Sequence, residues 1–355
     1  MRCFPRVPSI SADPVIRLVT EAYSQKEWTD IVSTFQDLSL LQTWEYAEAK
    51  VHAGPWRVER ATLWQDDRVV GAVQSLVCEI PLFGSGFVWI NRGPLWRGQA
   101  PCDRTMLMTM LGELRRYWVE KHGMCLWVAP PLFHNEEDIG LFSRHGYHPV
   151  EGSEGWASGV VDLSLPVEIL RRRLQQKWRN CLNKAERLGL VSESGTSSDI
   201  FYAVLDEYEQ LLRERRYKSS VTTSLVSRLQ VFLPDERKLW GVSGKQGNQK
   251  LGGLLIARYG QRCEYLVGAV NESGRAVNAG HFLLWRAICQ MKELGYRWFD
   301  LGGMSPTGTP TGIFHFKSGL GGEPYTLIGE FECFRDGLLN QVIRWCVRRA
   351  RQPAN

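Results

Sequence analysis

Twice along this chain of 355 residues the same order of elements can be read: a hairpin of strands, a further strand, a helix and a closing strand. In the first half, Arg57 to Trp64 and Arg68 to Ile80 flank Asp66-Asp67, a hairpin turn signal. Gly86 to Asn91 reads as the next strand, Arg104 to His122 as an amphipathic helix (Met106, Met110, Leu111, Leu114, Trp118), and Met124 to Val128 as the strand after it. Near residue 160 the pattern restarts. Leu239 to Val242 and Lys250 to Tyr259 lie around a turn opened by Gly244, and Arg262 to Val270 follows as a strand. Ala279 to Leu294 is apolar nearly all round, as in a buried helix, and a short strand closes the unit near Trp298. Strands and helices mixed in this way predict an α/β (α+β mixed sheet) fold, and the repetition predicts two tandem domains, for which the length leaves room. No residue-level repeat accompanies the repeated pattern. The expected boundaries are 1–160 for the first domain, joined by the C-terminal segment 325–355, and 161–324 for the second.

The second unit ends on the stretch with the most chemistry, Tyr296 to Gly322. Asp300 followed closely by Gly302-Gly303 is the composition of a strand that stops at a tight bend. Met304 to Thr311 holds two prolines, a glycine and four Ser or Thr, and reads as a loop. A second apolar run, read as a strand with His315 and Phe316 on opposite sides, then delivers Lys317 ahead of Gly319, Gly321 and Gly322. A cation beside bare backbone suits a phosphate or an oxyanion developing on a carbonyl; the plainer alternative is a surface lysine at a β-bend. Asp300 has two readings, general base or cap of the glycine bend, and the composition favours the cap.

The rest of the chain frames these units. Met1 to Asp13 reads as a loose arm without the long apolar run of a signal peptide. Glu21 to Leu38 has helix-like spacing, and Leu41 to Lys50 reads as a helix with Thr43 at its N-cap and Lys50 near its C-terminus. Asp138 to His145 is a short helix and Trp156 to Leu163 a strand. Pro166 to Leu188 reads as one basic helix, with seven cations in residues 171–187. Arg173, Lys177 and Lys184 fall on one stripe of it, a pattern that attracts phosphates; the alternative is a solvated face. Asp199 to Arg216, before Tyr217-Lys218, and Thr222 to Phe232 are further helices. Gly337 to Arg351 is a basic amphipathic helix that either docks on the body of the protein or lies on a membrane surface or partner.

Composition narrows the setting. A net charge of +5 is mildly basic, which fits a phosphate-bearing partner met at one face and not a nucleic-acid packager. The nine cysteines are odd in number and never at Cys-x-x-Cys spacing, which argues for reduced thiols in a cytoplasm and against a zinc site or a disulfide framework. His145 and His148 share a turn without a third ligand and read as surface residues. No stretch approaches 18 uninterrupted apolar residues, so no membrane span is expected.

The second half, with its hairpin, strand and buried helix, resembles a GNAT acyltransferase core. In that fold, loop amides at the start of the central helix hold the cofactor's pyrophosphate. The matching place here is Arg275-Ala-Val-Asn278-Ala-Gly280, where Asn278 replaces the first glycine, a departure that weakens acyl-coenzyme A binding. The chain as a whole resembles the Fem peptidyltransferases, which have two GNAT-like domains and attach amino acids from aminoacyl-tRNA to peptidoglycan precursors. Five stretches in order carry the resemblance: Gln42-Thr43-Trp44 with Lys50; Arg92-Gly93-Pro94; Lys177-Trp178-Arg179-Asn180 with Lys184-Ala185; Asp300-Leu301-Gly302-Gly303; and Phe316-Lys317 with Gly321-Gly322.

The resemblance implies roles for these residues. Lys50 and Arg179 would bind phosphates of the nucleotide-linked precursor, with Trp44, Lys177 and Lys184 as further substrate-binding candidates. Arg275, Asn278, Gly280, Gly302 and Gly303 would line the donor site. Lys317, with Phe316 and Asp300 beside it, would act at the aminoacyl ester. It also implies a monomer without a bound cofactor, using aminoacyl-tRNA as co-substrate and a nucleotide- or lipid-linked muropeptide as acceptor, in the cytoplasm or at the inner face of the membrane. No carboxylate follows Gly93-Pro94 until Asp103, so an acid working from that turn is missing. The chain offers no Ser/His/Asp or Cys/His set for a covalent intermediate. Two other functions fit the same residues: an acyltransferase using acyl-coenzyme A or an acyl carrier protein, and a non-catalytic RNA-binding protein using the 171–187 helix.

Overall fold

The structure is a computed structural model that describes residues 15–80, 84–98, 103–215, 219 and 221–351. The arm expected over residues 1–13 and the Arg216-Tyr217-Lys218 run lie outside the described residues. In chain order the elements are β1 (Ile16–Thr20), α1 (Gln25–Val32), α2 (Trp44–Ala53), β2 (Arg57–Gln65), β3 (Arg68–Ile80), β4 (Ser85–Asn91), α3 (Arg104–Arg115), β5 (Cys125–Ala129), α4 (Glu136–Arg144), β6 (His148–Pro149) and β7 (Ala157–Asp162). There follow α5 (Val167–Arg173), α6 (Gln176–Arg187), β8 (Val191–Gly195), α7 (Ser198–Arg215), α8 (Thr223–Phe232), β9 (Trp240–Gln246), β10 (Gln249–Tyr259) and β11 (Arg262–Val270). The chain closes with α9 (Glu272–Ala276), α10 (Ala279–Glu293), β12 (Trp298–Asp300), α11 (Thr311–Ser318), β13 (Glu323–Thr326), β14 (Phe331–Cys333) and α12 (Leu338–Arg351).

These elements build two seven-stranded mixed sheets, ordered β1-β2-β3-β4-β5-β14-β6 and β13-β7-β12-β11-β10-β9-β8. Each contains an antiparallel meander that meets a parallel pair, β4 with β5 and β11 with β12. A parallel pair needs a crossover, and the crossovers are α3 and α10, the two helices most legible in the sequence. On α3, Leu107, Leu111 and Leu114 share one face and are fully buried on Val88, Ile90, Leu126 and Val128. On α10, Leu283, Leu284, Ala287, Ile288 and Met291 pack on Leu254, Ile256 and Phe299. Each fully buried aliphatic side chain of this size contributes about 2 kcal/mol.

A third apolar cluster joins the two sheets. Trp28 and Val32 of α1 and Ala49 of α2 pack in one core with Phe201 and Val204 of α7 and Val226 and Leu229 of α8. Within this seam Glu45 is fully buried and accepts from Arg237 Nη2 at 2.6 Å and Gln25 Nε2 at 2.9 Å.

Three expectations need correction. The run that delivers Lys317 is helix α11, not a strand. The basic helix expected over 166–188 is two helices: Leu174 and Gln175 are extended between them, with ψ of 133° and 146°. The break is tertiary in origin, since Gln175 N–H donates to Gly319 O at 2.9 Å and Leu174 enters the core. It also removes Arg173 from the stripe of Lys177 and Lys184. Helical spacing over 21–38 corresponds to α1 alone. The helix expected over 104–122 is present, its last part, Arg116–Lys121, wound as a π-helix.

Candidate active site

The site grows from the place where β11 and β12 part. Their parallel register is Arg262↔Trp298, Cys263↔Phe299 and Glu264↔Asp300, after which β12 stops and β11 runs on. The chain turns away at Gly302, whose φ is +68°. A β-carbon there would meet the Tyr265 carbonyl oxygen at 2.7 Å, so both conformation and space require glycine.

Asp300 holds this bend. Its Oδ1 accepts from Gly302 N at 2.8 Å and Ser158 Oγ at 2.6 Å, and its Oδ2 accepts from Tyr325 OH at 2.6 Å. The side chain therefore caps the glycine turn and ties β12 to β7 and β13.

Lys317 comes from α11 into the same opening. It is 8% exposed, its Nζ donates to Gly303 O at 2.9 Å, and it lies 5.0 Å from the centroid of the Tyr265 ring. Burial pushes the ammonium down to about 8, against the pull of Asp300 and Glu264. The α11 helix is clamped by Trp178 of α6, whose indole donates to Phe316 O at 2.9 Å.

Glu264, opposite Asp300 on the last rung, lines a cleft between the two units with a volume of about 860 Å³. Its Oε2 accepts from Tyr259 OH at 3.0 Å. Desolvation, and then the neighbouring Asp300, raise its carboxyl to about 7, while Arg92 and Lys317 act in the opposite sense. The cleft walls carry the cations Lys50, Arg92, Arg97, Arg173 and Arg262 among the carboxylates Asp37, Glu154, Asp162, Glu264, Asp300, Glu323 and Glu330. Trp89, Trp156 and Phe133 add aromatic surface, and Arg92 stacks 5.1 Å from the Trp156 ring. This mixture suits a ligand with both anionic and amine groups.

The residues singled out from the sequence separate into groups. Lys50 and Asp300 line the cleft. Lys317, Gly302 and Gly303 form the opening beside it and are not among its lining residues. Trp44 lies under Arg60, 3.4 Å from the guanidinium, away from the cleft. Lys177 and Lys184 are exposed on α6 and Arg179 is half-buried there; none of the three lines the cleft.

Arg275 is exposed and donates to Val270 O at 2.7 Å. Asn278 is left-handed, with φ +58°, and its N–H donates to Arg275 O at 3.2 Å. A β-carbon on Gly280 would lie 3.6 Å from the Phe316 ring, so Phe316 walls the first turn of α10. Beside it sits His281, which burial pushes down to about 4 and leaves neutral.

The sequence reading missed Glu264, Arg92, Tyr259, Tyr325 and Trp156 as site residues. The available signal for Glu264 was a lone carboxylate inside an apolar strand, between Cys263 and Tyr265. Gln42, by contrast, is a scaffold residue: its amide spans β3 and β4, donating to Asn91 O at 2.8 Å and accepting from Gln74 N at 2.8 Å.

Comparison with known proteins agrees with this architecture. Residues 171–318 match the model of the acetyltransferase (GNAT) domain. FemX has a similar structure over 92% of this chain and 100% of its own, with a TM-score of 0.77 at 15% identity. The C-terminal domain of a putative lysylphosphatidylglycerol synthetase from Agrobacterium fabrum aligns over 92% of this chain and 95% of its own (TM-score 0.54, 12% identity). A tandem GNAT protein from the clavulanic acid biosynthesis pathway aligns over 90% and 98% (TM-score 0.51, 13% identity). At these identities the likeness is one of fold, and that fold is two tandem GNAT-like domains in the Fem-like arrangement. No curated protein matches the chain in sequence.

Proposed function

We propose that the chain is an aminoacyltransferase that joins the amino acid of an aminoacyl-tRNA to the amine of a peptidoglycan precursor or a similar peptide. The observation that carries this reading is the pair at the parting of β11 and β12: Glu264, a carboxyl held near neutrality on the cleft side, and Lys317, a buried ammonium in the opening. An amine that attacks an acyl carbon must lose a proton, and the oxygen of that carbonyl gains negative charge. A carboxylate and an ammonium near enough to influence each other's charge meet those two needs.

In the proposed step the acceptor nitrogen adds to the ester carbonyl carbon. Glu264 takes the proton from that nitrogen, and Lys317 exchanges the Gly303 carbonyl for the developing oxyanion. The bond to the ribose oxygen then breaks, and the proton passes to that oxygen as it leaves. Among the described residues that line the cleft there is no cysteine and no histidine to serve a covalent step, and the step written here is a direct transfer. Asp300 is a positioning residue here, already engaged by three donors.

The donor is argued from the start of α10. Asn278 occupies the turn where a GNAT glycine would approach a pyrophosphate, Phe316 walls the next turn, and neutral His281 adds no charge for an anion. A donor that does not rest its phosphates there fits better than acyl-coenzyme A. The Fem-like fold supports an aminoacyl donor, as does the same fold in a protein named for making a lysyl lipid. A donor of this kind would confine the reaction to the cytoplasm or the inner face of its membrane. The match of residues 171–318 to an acetyltransferase model keeps an N-acyltransferase using acyl-coenzyme A or an acyl carrier protein as the second reading.

The test is to incubate the protein with a full set of charged tRNAs and a muropeptide precursor and read product masses. The proposal expects the mass of one amino-acid residue to be added, a gain abolished by RNase and by Lys317→Ala. A gain only with acyl-coenzyme A or acyl carrier protein would replace it with the second reading.

A further inference from the structure

Helix α12 has two apolar faces, and the protein covers one of them. Leu339, Ile343 and Val347 pack against Phe87, Trp127 and Val150, on the side of the first sheet opposite α3. On the other side Leu338 is 82% exposed, Val342 57% and Trp345 58%. Positions 338, 342, 345 and 349 fall along one helical stripe, on the side of the helix away from Ile343 and Val347. A helix already docked by its inner face needs no second apolar face to fold, so the outer stripe asks for an occupant.

Charge identifies that occupant. The helix carries no acidic residue between Leu338 and Arg351. Arg344 and Arg348, on its flank, are tied to the buried Glu332. Arg349 closes the outer stripe with its guanidinium 5.1 Å from the Trp345 ring, which places a cation at the end of the exposed apolar surface. Tryptophan and arginine on one exposed helix face are what the boundary between headgroups and acyl chains accommodates, the ring in the boundary and the guanidinium at the phosphates. The area argues the same way. Fourteen helical residues present a face about 20 Å long and 10 Å wide, roughly 200 Å², against about 800 Å² per partner in a stable dimer.

We infer that the outer face of α12 docks on the surface of an anionic lipid bilayer. The inference is independent of the transfer reaction, since none of these residues lines the cleft.

The experiment is co-sedimentation of the full chain with vesicles of phosphatidylcholine containing phosphatidylglycerol, against vesicles of phosphatidylcholine alone. The chain should partition onto the anionic vesicles and only weakly onto the neutral ones. Val342→Glu combined with Trp345→Glu should lower that partition about tenfold or more, with an unchanged thermal midpoint because both side chains are exposed. Arg349→Gln should lower it about fivefold on anionic vesicles only, and added salt should act in the same direction. Equal binding by the double variant, or no sedimentation at all, would overturn the inference. So would a concentration-dependent dimer abolished by the double variant, which would assign the stripe to a second copy of the chain.

Discussion

Glu264 and Asp300 stand opposite each other on the last rung of the β11–β12 pair, and their surroundings give them different tasks. Asp300 accepts three short hydrogen bonds and anchors the bend at Gly302. Glu264 accepts one, from Tyr259, faces the cleft and is raised toward neutrality by burial and by Asp300 itself. A carboxyl raised toward neutrality beside one engaged by three donors is an arrangement from which a base can be built.

Glu264→Gln should lower transfer by roughly 10²–10⁴, the usual contribution of a positioned proton acceptor. It should not lower stability at alkaline pH. The folded-state value of this carboxyl is raised to about 7 from 4.5. Its contribution to stability is therefore full below about pH 4.5 and is lost as pH rises through about 7. Urea midpoints across that window should fall for the wild type relative to the variant, then run parallel above it.

The rate should depend on pH as a bell with limbs near pH 7 and pH 8, from deprotonation of Glu264 and then of Lys317. Glu264→Gln should remove the acidic limb. It should also move the alkaline limb lower, because Lys317 loses a neighbour that favours its charged form. A pH profile of kcat for the two proteins checks this.

Ser158→Ala should cost about 1.5–3 kcal/mol, the range for a buried hydrogen bond to a charged group. Lys317→Met should cost little or even stabilise, since it removes a buried ammonium from the opening, yet it should lower transfer about a hundredfold or more. Denaturant midpoints and kcat measured on both variants separate the structural contribution of Ser158 from the catalytic role proposed for Lys317.

Arg237→Ala should destabilise by about 3–5 kcal/mol, because it leaves Glu45 fully buried without its cation in the seam between the two units. Replacing both partners, as Arg237→Met with Glu45→Leu, should recover most of that loss in a thermal melt.

Much of the scaffold was legible because its signal is periodic. The buried faces of α3 and α10, the two hairpins and the strands before each crossover all follow from spacing, and so does the repetition that implies two domains. The hidden parts are those that tertiary contacts decide. Residues 311–318 begin after Pro310 without a side-chain cap and carry apolar side chains on several sides, so nothing local distinguishes a helix from a strand. The break at Leu174-Gln175 has no proline or glycine to mark it. The strands β1, β6, β8, β13 and β14 are two to five residues long, too short for alternation to register.

The site was legible in the same uneven way. Asp300, Gly302 and Gly303 announce a bend through their residue types, and the bend is there. Lys50 and Arg173 reach the cleft, while the other cations of the 171–187 run point elsewhere, because a cationic stripe in sequence does not say which side of a helix meets the ligand. Glu264 becomes a candidate only when burial, Tyr259 and Asp300 are brought around it.

The most direct measurement is donor binding, which needs no knowledge of the acceptor. Filter binding with charged tRNA, uncharged tRNA and acetyl-coenzyme A on one preparation would suffice. The expected result is saturable binding that is tighter for charged than for uncharged tRNA, with no saturable binding of acetyl-coenzyme A. Saturable binding of the coenzyme, with charged and uncharged tRNA bound alike and a steep salt dependence for both, would contradict it.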